Sequence, residues 1–212
     1  MKTNDFINAL VADQGERHAR YRFPLGAQMA VGLAVSLAIF FMFLGIRADL
    51  FSVMTDPHVI FKFIMAASLF GSLLPLVISA DQPEIRLKTR LGWLALPLFI
   101  MAGGIVFQLI TSPADYWLSG MMGRYPAACL RSIPALAIGP FLVLLWMLKN
   151  GAPAEPVLSG AVAGAVSAAI AAFIYALHCP DDSALFVALW YTLSIGSVTI
   201  IGALIGHFWL RW

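Results

Sequence analysis

Six apolar stretches, each the length of a bilayer-crossing helix, constrain this chain more than any other feature. A hydrocarbon core about 30 Å thick is crossed by roughly 20 residues of helix. The stretches run from about Ala27 to Ile46, Val59 to Ala80, Leu91 to Ile110, Ile133 to Leu148, Val157 to Leu177 and Ala184 to Phe208. The fourth is short unless it begins as early as Tyr125, with Arg131 reaching the interface. Lys62 lies one turn inside the second, where a long side chain can snorkel to the headgroups. The uninterrupted apolar runs lack the alternation of barrel strands, which leaves helices as the spanning elements. With 61% hydrophobic and only 11% charged residues, against about 25% charged in a soluble domain, the chain has lipid as its natural solvent. The first run is too long for the core of a secretory signal and shows no small-residue cleavage site, so it is read as a retained helix. The expected fold class is all-α, an integral membrane bundle of six transmembrane helices with a short amphipathic helix before it.

Orientation follows from where Lys and Arg fall. Lys2, Arg17, Arg20, Arg22, Arg86, Lys88, Arg90, Lys149 and Arg211 lie on one side, against Arg47, Lys62, Arg124 and Arg131 on the other. The excess predicts that both termini are cytoplasmic. Asp49, Asp56, His58, Asp115, Cys129, His178, Cys179, Asp181 and Asp182 then fall outside or at the outer membrane edge. Residues 1–26 are the one sizeable polar segment on the inner side. Thr3 suits a helix N-cap there, and Phe6, Ile7, Leu10 and Val11 share one face. So short a helix is marginal alone, and its apolar stripe calls for the membrane surface or a partner protein. Inside the bilayer, Gly160, Gly164, Ala168 and Ala172 form one small-residue ridge and Gly202 with Gly206 a second, which predicts close intramolecular helix packing. Pro75, Pro97, Pro134 and Pro140 are expected to kink their helices.

The chemistry available is limited. None of the six stretches holds an acidic residue, which weakens an ion-coupled carrier. Gln108 and His207 sit near helix ends. There is no phosphate-binding loop, zinc-protease pair or nucleophile elbow, so the chain is not read as an enzyme. The two cysteines, Cys129 and Cys179, both fall on the expected outer face, the second in the turn His178-Cys179-Pro180-Asp181-Asp182-Ser183. Thiolate and imidazole together suit copper, zinc or cadmium, with His58, Asp181, Asp182 and Met121 or Met122 as candidate further ligands. Outside the cytoplasm the same thiols can form a disulfide. They can equally be small buried apolar residues, with His178 at a helix C-terminus and Asp181 or Asp182 capping the sixth helix.

The opening Thr3-Asn4-Asp5-Phe6-Ile7 with Leu10 and Ala12-Asp13, Cys129, and above all His178-Cys179-Pro180-Asp181-Asp182-Ser183 followed by Phe186-Val187 and Trp190-Tyr191, carry a resemblance over nearly the whole chain. The chain resembles the negative regulator of sigma-F family, multi-pass membrane anti-sigma factors of proteobacteria. The resemblance implies six helices in the bacterial inner membrane. It implies a cytoplasmic segment, residues 1–26, that helps hold an extracytoplasmic-function sigma factor, and a transmembrane sensor in residues 27–212. It also implies two outward cysteines, matched by Cys129 and Cys179, needed for the response to heavy-metal or oxidative stress. Phe6, Ile7, Leu10 and Val11 are then the candidate sigma-binding residues, and Cys129, Cys179 and His178 the metal- or redox-sensing ones. The expected partners are the sigma factor and the lipid bilayer, with no direct contact to nucleic acid. No constitutive cofactor is expected, only a transiently bound copper, zinc or cadmium ion. The alternative is a small membrane transporter or metal-efflux accessory protein. A thiol oxidoreductase is weaker, because no CxxC pair is present.

Overall fold

The computed structural model describes residues 25–80, 87–151 and 153–211, so the candidate sigma-binding residues Phe6, Ile7, Leu10 and Val11 lie outside the described residues. Among the described residues there are helices and no strands. The elements are α1 (Leu25–Phe43), α2 (Pro57–Ala80), α3 (Ala95–Thr111), α4 (Ala114–Met122), α5 (Pro126–Gly151), α6 (Pro156–Ala176) and α7 (Ala184–Trp209). All but α4 belong to six spans long and apolar enough to cross a membrane. Three of them, α2, α5 and α6, begin on a proline. At a first helical position the missing N–H would have had no partner, and the fixed φ already suits the helix.

The third span keeps its expected bounds, at Leu91–Thr111, and the fourth is longer than its apolar core. The third span enters through a 3₁₀ stretch, Leu87–Leu94, before the α-helix starts. The fourth is not a short Ile133–Leu148 segment but the 26 residues of α5, about 39 Å of helix at 1.5 Å per residue. Arg131 is exposed on its first turns, so the earlier start near Tyr125 is the one adopted. Pro75, Pro134 and Pro140 sit inside unbroken helices. Pro97 falls in the first turn of α3, where there is no i−4 bond to lose and no cause for a kink.

The core forms around α6, whose span is 67% buried, whereas the α3 span is 11% buried and lies on the rim. The two small-residue ridges meet each other. A Cβ on Gly160 would strike the carbonyl oxygen of Gly202, and one on Gly206 would strike that of Pro156. Gly164 lies equally close to the backbone of Val198 and Thr199. This antiparallel α6–α7 contact is backbone on backbone, the geometry that small residues permit in lipid. The α1–α5 contact works the same way: Gly32 abuts the backbone of Pro140, and the Ser36 hydroxyl donates to the Leu136 carbonyl at 2.6 Å. With six spans the described ends, Leu25 and Trp209, fall at one end of the bundle. The loops after α1, α3 and α6 meet at the other, here termed the loop end.

Candidate functional site

The loop end is organised by the seven residues between α6 and α7. Helix α6 closes with the His178 and Cys179 amides donating to the Tyr175 carbonyl, at 2.9 and 3.0 Å. His178 then reaches sideways, its Nδ1 lying 3.0 Å from the Gly45 carbonyl oxygen. Gly45 has φ 72°, in the left-handed region that glycine enters without penalty, and this turns the chain out of α1. Immediately after it the Arg47 amide donates to the Leu177 carbonyl at 3.1 Å. The α1–α2 and α6–α7 loops are therefore stitched together through both backbone and side chain.

Asp182 is the hub of this stitching. One carboxylate oxygen accepts from the Lys62 ammonium in a short contact, and the other accepts from Arg47 at 2.8 Å. Lys62 and Arg47 also donate to the Cys179 carbonyl, at 2.8 and 3.1 Å. Lys62 does not snorkel to the headgroups: its side chain is 0% exposed. An anion and a carbonyl lie within reach inside the bundle, and a buried ammonium persists where it is paired and hydrogen-bonded. Arg47 completes the cluster with a bidentate grip on Asp49 at 2.7 and 2.8 Å. That grip lowers the Asp49 carboxyl from the usual range to about 2, and the same contact raises the Arg47 guanidinium further above its ordinary value.

The other loop carboxylate has a different task. Asp181 accepts from the Arg124 amide at 3.0 and 3.1 Å and from the Tyr125 amide at 3.1 Å, at the entrance to α5. These are the orphan donors of a helix start, where a negative charge also suits the helix dipole. So neither Asp181 nor Asp182 caps the sixth span. That role falls to Gln108, buried on α3, whose side-chain oxygen accepts from the Ala184 and Leu185 amides while its nitrogen donates to the Ser183 hydroxyl at 2.8 Å. Helix α4, absent from the sequence-based expectation, lies over this corner. Its Met121 carbonyl accepts from the Trp190 indole at 3.1 Å, and Gly123, at φ 61°, ends it against Phe186 and Asp181.

The cysteines lie at the expected end of the bundle but do not face outward. Cys129 is 0% and Cys179 1% exposed, both thiols are free, and they share one apolar cluster with Tyr175, Phe186 and Tyr191. Burial raises the Cys179 thiol above its ordinary value, opposed by the nearby Lys62 charge. It is therefore a neutral thiol at neutral pH, a weak nucleophile and a poor metal ligand as it stands. The Cys129 sulfur lies 3.9 Å from the Ser194 hydroxyl, and the Cys179 sulfur 3.7 Å from the Asp181 carbonyl. The candidate further ligands are engaged elsewhere: His58 with Asp56 at 3.0 Å, Asp181 with α5, Asp182 with Lys62 and Arg47. Among the described residues no three His, Cys, Asp or Glu side chains gather as a metal site.

Lys62, Arg47 and Gln108 are thus the site residues that sequence reading passed over. Lys62 and Gln108 carried a usable signal, since a polar side chain within an apolar span is by default engaged with a partner.

Six membrane-length helices, with an ionic cluster that joins the α1–α2 and α6–α7 loops to α2, define a polytopic α-helical membrane protein. The chain belongs to the family described as negative regulator of sigma F, whose profile matches residues 10–212. This is a family of regulatory anti-sigma factors rather than of catalysts. Two similar proteins are a probable anti-sigma-F factor from Azospira oryzae, 30% identical, and an anti-sigma-F factor from Caulobacter vibrioides, 32% identical. In both cases the similarity covers 100% of each chain. No solved structure matches.

Proposed function

We propose that this chain holds a sigma factor of the extracytoplasmic-function class at the inner face of a bacterial inner membrane. Both termini are cytoplasmic in this reading, and the factor is released when heavy metal or an oxidant engages Cys129 and Cys179. Membership of the family supports the anti-sigma role. The excess of Lys and Arg at the terminal end supports the orientation. The apolar stripe of Phe6, Ile7, Leu10 and Val11 supplies a surface for the partner.

The observation that carries the sensing step is the burial of both thiols in one core built mainly from α5, α6, α7 and the α6–α7 loop. A ligand shifts an equilibrium only through its different affinity for the two states. In the described arrangement the thiols are enclosed and no further ligands stand beside them, so a copper, zinc or cadmium ion gains little there. A state in which α5 and the Cys179 loop part, and the thiols ionise, binds the ion far better. Moving the population from 1:99 to 99:1 takes about 5.5 kcal/mol of such preference, within the roughly 10 kcal/mol or more that structural zinc sites yield. Oxidation acts the same way where the product no longer fits the packed core.

The test is a sigma-dependent reporter in cells carrying Cys129→Ser, Cys179→Ser or both, with and without cadmium. Single variants are expected to fix the reporter in one state, and deletion of residues 1–24 to release it constitutively. A double variant that still responds to cadmium like the parent would overturn the cysteine assignment, leaving the anti-sigma role to be judged by the deletion.

A further inference from the structure

Two cations enter the spans at matching depth. Lys62 and Arg131 each stand five residues past the proline that opens their helix, Pro57 in α2 and Pro126 in α5, and both helices start from the loop end. Lys62 turns into the bundle and takes Asp182 as its anion. Arg131 is exposed, and no carboxylate among the described residues pairs with it.

The face that carries Arg131 is the lipid-facing one. Arg131, Ala135, Ile138, Leu142 and Trp146 follow the spacing of one stripe on an α-helix, and all five are exposed. Ile133, Leu136, Pro140 and Leu144, on the opposite side of the same helix, are buried in the bundle. Exposed aromatic side chains mark where the membrane ends. Tyr116, Trp117 and Tyr125 gather at the loop end, and Trp93, Trp146 and Trp209 at the opposite end, as residues of this kind do at membrane–water interfaces. Tyr125 and Trp146 bracket α5 at 21 residues apart, about 31 Å at 1.5 Å per residue, which matches a hydrocarbon core about 30 Å thick. Arg131 lies six residues inside the loop-end belt, about 9 Å of helix. A guanidinium left in hydrocarbon at that depth is costly. Its long stem lets the charge rise to the headgroups, where the available anion is phosphate.

We propose that Arg131 anchors an anionic phospholipid of the phosphatidylglycerol type in the leaflet at the loop end. The guanidinium donates to the phosphate through two parallel N–H···O bonds, a geometry its planar fork matches. An acyl chain of the same lipid lies along Ala135, Ile138 and Leu142. A zwitterionic headgroup carries its own ammonium, which competes with the guanidinium for the phosphate, whereas a glycerol headgroup does not. A second copy of the chain fits this face poorly, because the six spans contain no acidic residue to bring to Arg131. The proposal concerns lipid binding alone and does not depend on which side of the membrane the loop end faces.

The experiment uses the full chain in a mild detergent, supplied with equal amounts of phosphatidylglycerol and phosphatidylcholine of the same chain length. Retained lipid is counted by native mass spectrometry. Phosphatidylglycerol is expected to be retained in preference to phosphatidylcholine. Arg131→Gln is expected to weaken that retention roughly 5-fold, from about 1 kcal/mol per basic residue at an anionic membrane surface. Arg131→Lys, which keeps the charge but not the fork, should fall between the two. Arg211→Gln removes an equal charge from an exposed position at the opposite end and should leave retention unchanged. Equal retention of both lipids by the parent, unchanged retention in Arg131→Gln, or an equal loss in Arg211→Gln overturns the proposal. A dimer that Arg131→Gln disperses also overturns it, since a second copy then covers this face.

Discussion

The Lys62–Asp182 pair makes a prediction with a built-in asymmetry. The Lys62 side chain is 0% exposed and that of Asp182 19%, and Asp182 has a second cation in Arg47 whereas Lys62 pairs with no second carboxylate among the described residues. Removing one partner of a buried pair costs about 3–5 kcal/mol because the other is left charged and uncompensated. Asp182→Asn meets that condition in full. It strands an ammonium with neutral carbonyl acceptors alone, and about 3–5 kcal/mol of destabilisation is expected. Lys62→Met does not meet it, because Arg47 still holds both the Asp182 carboxylate and the Cys179 carbonyl, at 2.8 and 3.1 Å. Its expected cost is about 1–2 kcal/mol, nearer that of one charged hydrogen bond. The double variant should recover part of the Asp182→Asn loss, since the stranded charge goes with it.

The assay is already present in the protein. Cys129 and Cys179 are its two cysteines and both are buried, so a thiol-reactive fluorophore added during a thermal ramp reports unfolding at the loop end directly. At 2–4 °C per kcal/mol for a chain of this size, Asp182→Asn should lower the midpoint by roughly 6–20 °C and Lys62→Met by roughly 2–8 °C. A Lys62→Met loss equal to or larger than that of Asp182→Asn refutes the reasoning, as does a double variant worse than either single one.

Three further outcomes are expected. Gly202→Leu should destabilise severely, by more than about 3 kcal/mol, because its Cβ would meet the Gly160 carbonyl, while Gly196→Ala, with nothing within 4 Å, should be neutral or slightly stabilising; denaturant titration separates them. Gln108→Leu should cost about 1–3 kcal/mol by leaving the Ala184 and Leu185 amides unsatisfied, read as faster hydrogen exchange at the start of α7. Alkylation of Cys179 in the folded protein should be slow at pH 7 and accelerate as pH rises, since burial raises its pKa and only the thiolate attacks. A rate flat with pH would show that opening, not ionisation, limits the reaction.

What the sequence disclosed was set by the range of the interactions involved. Apolar length is a local property, and it located all six spans. Small-residue spacing is local too, and it picked out the Gly160–Gly164 and Gly202–Gly206 faces that meet in the structure. Lys62 was misread because its position one turn inside a span fits snorkelling equally well, while its partner Asp182 lies 120 residues away in sequence. Gln108 reaches 76 residues to cap another helix, and no local pattern announces that. Helix α4 escaped because nine residues are too few to give a span signal. The N-terminal stripe falls outside the described residues, and the division at residue 26 stays an expectation.

The cysteines show why distance in sequence matters to the proposed mechanism. Cys129 belongs to α5, whose entrance is held by Asp181, and Cys179 precedes that residue by two positions in the loop that Asp182 anchors to Arg47 and Lys62. The Cys179 sulfur lies 3.7 Å from the Asp181 carbonyl, so a change at that thiol bears on the residue that holds the start of α5. In turn, α5 and α7 run from this corner to the opposite end, where Lys149 on α5 donates to the Trp209 carbonyl of α7 at 2.6 Å. In the proposed mechanism a rearrangement begun at the buried thiols would act on two helices that are tied again at the end of the bundle where α7 finishes. Packed helices shift between discrete arrangements rather than deform continuously, and in the proposed mechanism α5 and α7 are the elements that would carry a change at Cys129 and Cys179 to the face where the partner binds.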